Sequence, residues 1–195
     1  MFSYDSPVWK FMGRLVDFLV LTLLWAVTSL PVVTMGTATT VVYYITLKMT
    51  KDQEGYIIPA YFKSFARFFA QTTKVWIMVL AAGGVLCGNL YLCLSLHTPV
   101  TTMLLAAFFL LAAVFVMTAA YLFPVMAWLD GSVADYLKAA FYLALKYFGW
   151  TILIIVIAGC LVVLGIFVFW PLLLIVVGLT AYLQSLIFNQ IFSRQ

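Results

Sequence analysis

LVDFLVLTLLWAVTSLPVVTMGTATTVVYYITL, residues 15–47, is the stretch whose reading decides the fold class. Across its 33 residues only Asp17 is charged. A single straight helix of that length would extend about 50 Å, whereas the hydrocarbon core of a bilayer is about 30 Å thick. Pro31 stands near the middle of the run. Proline is tolerated at the first position of a helix and poorly inside one. The reading is two short spans, about 11–29 and 31–49, joined by a tight turn at Ser29-Leu30-Pro31. The alternative is one kinked helix, which gives five spans in the chain rather than six.

Similar runs follow at about 74–96, 101–129, 150–169 and 171–192, with turns at Ser95–Pro99 and Trp170-Pro171 and a kink at Pro124. Each is near the twenty residues a bilayer requires. Composition agrees: 67% of the residues are hydrophobic, 8% are charged, and mean hydropathy is +1.18. A soluble domain carries roughly 25% charged residues. The expectation is an all-α integral membrane protein, one membrane domain over 1–195 with about six transmembrane helices. Met1 to Arg14 mixes charges with aromatics and no A-x-A-like site follows, so the first apolar run is expected to stay as an anchor.

The net charge of +4 comes from ten Lys and Arg against six Asp and Glu. With six spans and the N-terminus inside, all ten basic residues fall on the cytoplasmic side, as the positive-inside rule requires. Both termini are then cytoplasmic, and every outer turn is minimal. The basic balance therefore reflects membrane orientation and gives no reason to expect nucleic acid. Cys87, Cys93 and Cys160 lie inside apolar runs without a CxxC partner and read as packing residues.

Two segments between spans have amphipathic helical spacing. In 59–73, Phe62, Phe65, Ala66 and Phe69 share a face, with Lys63 and Arg67 outside it. In 133–148, Leu137, Ala140, Phe141 and Ala144 share one, with Lys138 and Lys146 leaving it. Ser132 and Asp135 form an S-x-x-D helix start. One reading rests these helices on inner-leaflet lipid; the other docks them on a cytoplasmic partner. The candidate contact residues are Phe62, Lys63, Phe65, Arg67, Phe69, Lys138, Phe141 and Lys146. The flanking motifs match about 75 residues apart: Thr40/Tyr43 with Thr118/Tyr121, Glu54-Gly55 with Asp130-Gly131, and Tyr61-Phe62-Lys63 with Tyr136-Leu137-Lys138. The spacing suggests a parallel internal repeat.

Catalytic constellations are not found in the sequence. His97 is the one histidine, and there is no HExxH, no GxSxG and no paired intramembrane aspartate. No cofactor or metal is expected. Asp17, Asn89, Gln184 and Asn189 are the candidates for an intramembrane polar site. Arg14, one turn before Asp17, can pair with it, and the three amides suit helix-to-helix hydrogen bonds. Gly84 and Gly88 form a GxxxG.

The stretch SLPVVTMGTATTVVYYITLKMTKDQEGYIIPAYFKSF, residues 29–65, resembles the YesL-like family of bacterial membrane proteins, a domain-of-unknown-function family numbered six-two-four. YLFPVMAWLDGSVADYLKAAFYLAL, residues 121–145, is similar to its second signature. Gly36-Thr37-Ala38-Thr39-Thr40 with Tyr43-Tyr44 is the most specific part. The resemblance implies a bacterial cytoplasmic-membrane protein encoded beside carbohydrate-uptake ABC transporters and assisting them, and brings no catalytic residues with it. The chain has no E-A-A-x3-G…I-x-L-P loop of an ABC permease, so an accessory or assembly subunit contacting permease subunits is expected. The competing expectation is a small independent carrier acting as a homo-oligomer.

Overall fold

The computed structural model describes residues 7–51, 56–96, 99–167 and 175–192, and its regular structure is entirely helical. The elements are α1 (Pro7–Thr28), a short 3-10 turn (Val32–Thr34), α2 (Met35–Met49), α3 (Ile57–Leu96), α4 (Pro99–Trp128), α5 (Val133–Lys146), α6 (Phe148–Phe167) and α7 (Val176–Phe192). Among the described residues, α3 and the Leu104–Trp128 part of α4 are long and apolar enough to cross a membrane. The helices α5 and α6 meet at a 95° bend and supply a third candidate if the bent pair is one span. Glu54-Gly55, His97 and the Trp170-Pro171 hinge lie outside the described residues.

The run 15–47 divides at Pro31. Pro31 has an extended backbone, φ −76° and ψ 119°. The orphan carbonyls around the break find local donors: Thr34 Oγ1 reaches the Thr28 carbonyl at 2.5 Å, and the Thr34 amide reaches the Pro31 carbonyl at 2.9 Å. Such end groups have no partner inside their own helix and need one from the turn.

The largest departure from the sequence reading is in α3. The amphipathic segment 59–73 and the apolar run 74–96 are one continuous helix of 40 residues. Lys74 marks a change of polarity, but a charge does not end a helix. Neither glycine nor proline lies between Tyr61 and Ile77, so nothing there interrupts the backbone ladder. At 1.5 Å per residue the rod is about 60 Å long.

Helix α2 packs against α1, α3, α4 and α7. Its N-terminal end meets α3 at Trp76, whose indole N–H donates to the Val32 carbonyl at 2.7 Å. Farther along, Thr37 and Thr72 share a hydrogen bond of 2.7 Å, and Tyr44 packs edge-on against Phe68 at 5.3 Å. Helix α2 therefore lies beside residues 68–76 of α3. That places part of the expected surface helix inside the bundle and corrects its reading as a separate helix on the leaflet. Beyond Trp76, α3 continues past the α1–α2 turn in company with α4, where Gly83 faces the Phe115 ring.

Two apolar clusters form the core. One joins Tyr121, Leu122, Val125 and Met126 of α4 to Tyr136, Ala140, Leu143 and Ala144 of α5 and to Phe188 of α7. The other joins Phe18 and Leu21 of α1, Val41, Val42 and Ile45 of α2, Tyr61 and Phe68 of α3, and Ala181 of α7. Phe188 lies edge-on to both Tyr43, at 6.0 Å, and Tyr121, at 5.3 Å.

Candidate functional site

Among the described residues, the polar side chains of the bundle either join helices or bond back to their own helix backbone. The signature Gly36–Thr40 shows this residue by residue. Gly36 leaves room for Trp76: a Cβ there would stand 2.6 Å from the Trp76 Cβ. Thr37 bonds Thr72 on α3, and Ala38 is fully buried. Thr39 accepts from the Trp25 indole on α1 at 3.1 Å, and Thr40 donates to the Gly36 carbonyl at 3.0 Å. Each group thus either admits a neighbour closely or satisfies a polar atom that lipid could not.

The same use extends to α7. Tyr43 donates to the side-chain oxygen of Gln184, and Thr46 shares a 2.8 Å hydrogen bond with Ser185. Arg14 donates to the Tyr182 hydroxyl, with its guanidinium 5.4 Å from that ring. The Gly178 amide donates to Thr22 at 3.1 Å. A Cβ on Gly178 would lie 2.7 Å from the Phe18 carbonyl oxygen, so α1 and α7 touch backbone to backbone.

The four candidates for an intramembrane polar site lie on three helices, α1, α3 and α7. Asp17 is half-buried on α1, and Asn189 is half-buried on α7. Gln184 is buried and bonded to Tyr43. Asn89 is on the C-terminal half of α3, donates to the Val85 carbonyl at 2.9 Å, and lines an open groove of about 730 Å³ between α3 and α4. A smaller cavity of about 180 Å³, between α1, α2, α6 and α7, is lined mainly by apolar side chains around Trp25, Thr39 and Tyr43. Among the described residues no group of three His, Cys, Asp or Glu could hold a metal ion. Cys87 and Cys160 are exposed and Cys93 is half-exposed.

The amphipathic faces sort differently from their sequence reading. On α3 the buried stripe is Tyr61, Ser64, Phe68, Thr72 and Val75. Tyr61 reaches the Thr28 hydroxyl at 2.7 Å. Phe62 is 53% exposed and Phe69 is 41% exposed, while Phe65 is half-buried and stacked on Tyr61 with ring centroids 6.2 Å apart. Lys63 is exposed. Arg67 makes a two-pronged ion pair with Asp130, at 3.0 and 3.1 Å, and Gln71 donates to the Gly131 carbonyl at 2.6 Å. These contacts tie α3 to the turn between α4 and α5.

On α5 the S-x-x-D start is a complete capping box. The Asp135 amide donates to Ser132 Oγ, and the Ser132 amide donates to the Asp135 carboxylate at 2.9 Å. The Ser132 hydroxyl and then its backbone amide, by hydrogen bonding, hold the Asp135 carboxyl below its ordinary value. The face expected to combine Leu137, Ala140, Phe141 and Ala144 is split. Ala140 and Ala144 are buried with Tyr136 and Leu143 against α4, and Leu137 and Phe141 point outward. Lys138 is exposed, and Lys146 Nζ lies 5.3 Å from the ring centroids of both Tyr142 and Tyr147.

Sequence reasoning missed Gly178, Ser185 and Phe188 as helix-joining residues. The available signal was the small-residue spacing of Gly178, Ala181 and Ser185, a pattern that lets helices approach. Residues 18–90, from α1 through all of α2 into α3, match the family described as "Protein of unknown function, DUF624". No curated protein and no solved structure matches the chain.

Proposed function

We propose that this chain, assigned to the DUF624 (YesL-like) family through residues 18–90, is a non-catalytic accessory or assembly subunit of a bacterial membrane transporter. The observation that carries the reading is α3. Ile58, Phe62 and Phe69 stand exposed on one side of its N-terminal half, and Ile77, Val85 and Leu92 are exposed on other sides farther along a rod about 60 Å long. A hydrocarbon core of about 30 Å covers roughly half of that length. In the remainder, Ile58, Phe62 and Phe69 offer a surface for another protein, since exposed apolar side chains grouped on one side mark contact sites.

The basic residues Lys63, Arg67 and Lys74 orient the N-terminal half of α3 toward the cytoplasm. Phe62 and Phe69 then form the docking face, held in place by the Arg67–Asp130 pair. A segment collinear with the rest of α3 stands upright and cannot lie flat in the headgroup layer, which favours a protein contact here. The family resemblance points to the permease subunits of a carbohydrate ABC importer as the partner. In this reading both termini are cytoplasmic. The parallel repeat is supported by the shared packing of Tyr43 and Tyr121 on Phe188 and by the buried Tyr61 and Tyr136 that open the two amphipathic stripes.

The test is affinity purification of the full chain in mild detergent from sugar-induced cells. Transporter subunits should co-purify, and Phe62→Ala should reduce their yield with no change in membrane content. Recovery of the chain alone would refute the reading. The independent-carrier reading makes the opposite prediction, solute flux in liposomes containing only this protein and a changed flux on Asp17→Asn.

A further inference from the structure

The outward face of α5 carries two parallel lanes at helical i, i+4, i+8 spacing. Leu137, Phe141 and Leu145 make an apolar lane, 40%, 47% and 51% exposed. Lys138, Tyr142 and Lys146 make the lane beside it, and all three are exposed. An apolar lane bordered by lysines is the pattern of a helix seated at a bilayer interface, with aliphatic and aromatic groups in the acyl region and ammonium groups among headgroups.

Lys146 is the best-defined cation of that lane. Two tyrosine rings hold it on station, each with its centroid 5.3 Å from Nζ. Cation–π contact fixes the position of an ammonium without neutralising its charge. No Asp or Glu occurs after Asp135 in the chain. Asp135 itself is occupied in the capping box with Ser132. Asp130 is paired with Arg67. Lys138 faces the ionised Asp135 one turn before it, whereas the ten residues before Lys146 include no Asp or Glu, so the positive charge of the lane is concentrated at Lys146.

The setting is that of a membrane boundary. Directly after Lys146 come Phe148, 50% exposed, and Trp150, 40% exposed, and then the apolar length of α6. Aromatic side chains of this kind collect where hydrocarbon meets headgroups. Helix α5 leaves α6 at 95°, so where α6 enters the bilayer α5 runs along its surface. In α3, by contrast, the amphipathic and apolar parts are collinear.

We infer that the Lys138–Tyr142–Lys146 lane of α5 binds the phosphate headgroup of anionic phospholipid, with Leu137, Phe141 and Leu145 seated among its acyl chains. This goes beyond the subunit role, which rests on α3, and holds whether or not a transporter partner exists. The complement is charge on charge: a strip whose two lysines outnumber the one neighbouring carboxylate, against a leaflet that carries anionic lipid.

The experiment uses the full chain, purified in a neutral detergent. Binding of phosphatidylglycerol and phosphatidylcholine is read as the fraction of protein retaining lipid by native mass spectrometry, and as the rise in Tm on lipid addition. Phosphatidylglycerol should be preferred. Lys146→Gln should weaken that preference about fivefold, and Lys138→Gln/Lys146→Gln by about the square of that factor, at the roughly one kcal/mol expected per lysine. Lys146→Arg should retain it, and Lys63→Gln on α3 should leave it unchanged. Raising the salt should weaken it. Equal retention of the two lipids would overturn the inference. So would unchanged phosphatidylglycerol binding by the double variant, or competition by millimolar inorganic phosphate with no contribution from the acyl chains, which would mark a free-phosphate site. Capture of a protein by this face with no lipid preference would overturn it too. If Lys146→Gln does not fold, the Lys138→Gln single variant is read by the same fivefold criterion.

Discussion

Gly36→Ala places one methyl group where the structure has no room. The new Cβ would lie 2.6 Å from Trp76 Cβ, 2.8 Å from Cγ and 3.2 Å from Cδ2. These atoms are the root of the indole, so the ring cannot swing aside without carrying the α3 backbone with it. The far end of the ring is fixed as well, by its 2.7 Å bond to the Val32 carbonyl. Overpacking of this kind costs about 1–3 kcal/mol. Alanine recovers about 1 kcal/mol over glycine inside a helix. The net expectation is a loss of about 0–2 kcal/mol, or about 1–3 kcal/mol relative to a helical alanine with free space, and for a chain of this size each kcal/mol lowers Tm by about 2–4 °C. Gly84→Ala and Gly88→Ala are the controls, because nothing stands within 4 Å of a Cβ at either site. They should be neutral or slightly stabilising. The assay is thermal unfolding of the purified protein in one detergent, with the three variants measured side by side. A Tm for Gly36→Ala no lower than those of the two controls would refute the view that the Gly36–Thr40 signature exists to bring α2 against α3.

Gly178→Ala should be more damaging than Gly36→Ala, because its Cβ meets the Phe18 backbone at 2.7 and 2.8 Å and α1 must separate from α7; a Tm above that of Gly36→Ala would count against it. Ser132→Ala removes the capping box and should cost about 1 kcal/mol, seen as faster hydrogen exchange over the first turn of α5. The same cap is acid-sensitive. Asp135 has its folded value depressed below 3.8, so its contribution is present above 3.8 and lost as pH falls through the lowered value, and α5 protection that rises on acidification would contradict this sign. Arg67→Ala breaks an ion pair whose partners are 55% and 81% exposed, so stability should change by less than about 1 kcal/mol, and a larger loss of Tm would show that the tie between α3 and the α4–α5 turn does more than the contact implies.

The helical class was legible because apolar length and charge scarcity are properties of composition, and a bilayer admits few other solutions. The break at Pro31 was legible for the same local reason, a missing amide and a fixed φ. The Ser132–Asp135 cap was readable to the residue, since its two partners are three positions apart. The continuity of α3 was not. Sequence polarity changes at Lys74, but helix continuity depends on the backbone, and that stretch contains no breaker. The faces of α5 were misassigned because its apolar residues offer more than one helical stripe, and only packing against α4 selects the Tyr136, Ala140, Leu143 and Ala144 stripe. Gly178 was invisible for a similar reason, as its role exists only in the contact with Phe18, 160 positions away in the chain. The candidate polar residues were found correctly as polar, yet their grouping needed three-dimensional information that spacing does not contain.

The most direct test of the central claim measures how much of α3 a bilayer covers. With Cys87, Cys93 and Cys160 replaced, single cysteines at the outward positions Ile58, Phe62, Phe69, Ile77, Val85 and Leu92 would be spin-labelled in protein reconstituted alone into liposomes. Collision with oxygen and with a water-soluble nickel chelate then reports the depth of each label. The account predicts a lipid-buried window of about 20 residues, flanked by outward apolar positions in water that become shielded when the partner is present. Continuous lipid burial from Ile58 to Leu92 in the protein alone would contradict it, because the bilayer itself would then cover all of these positions and leave nothing for a partner.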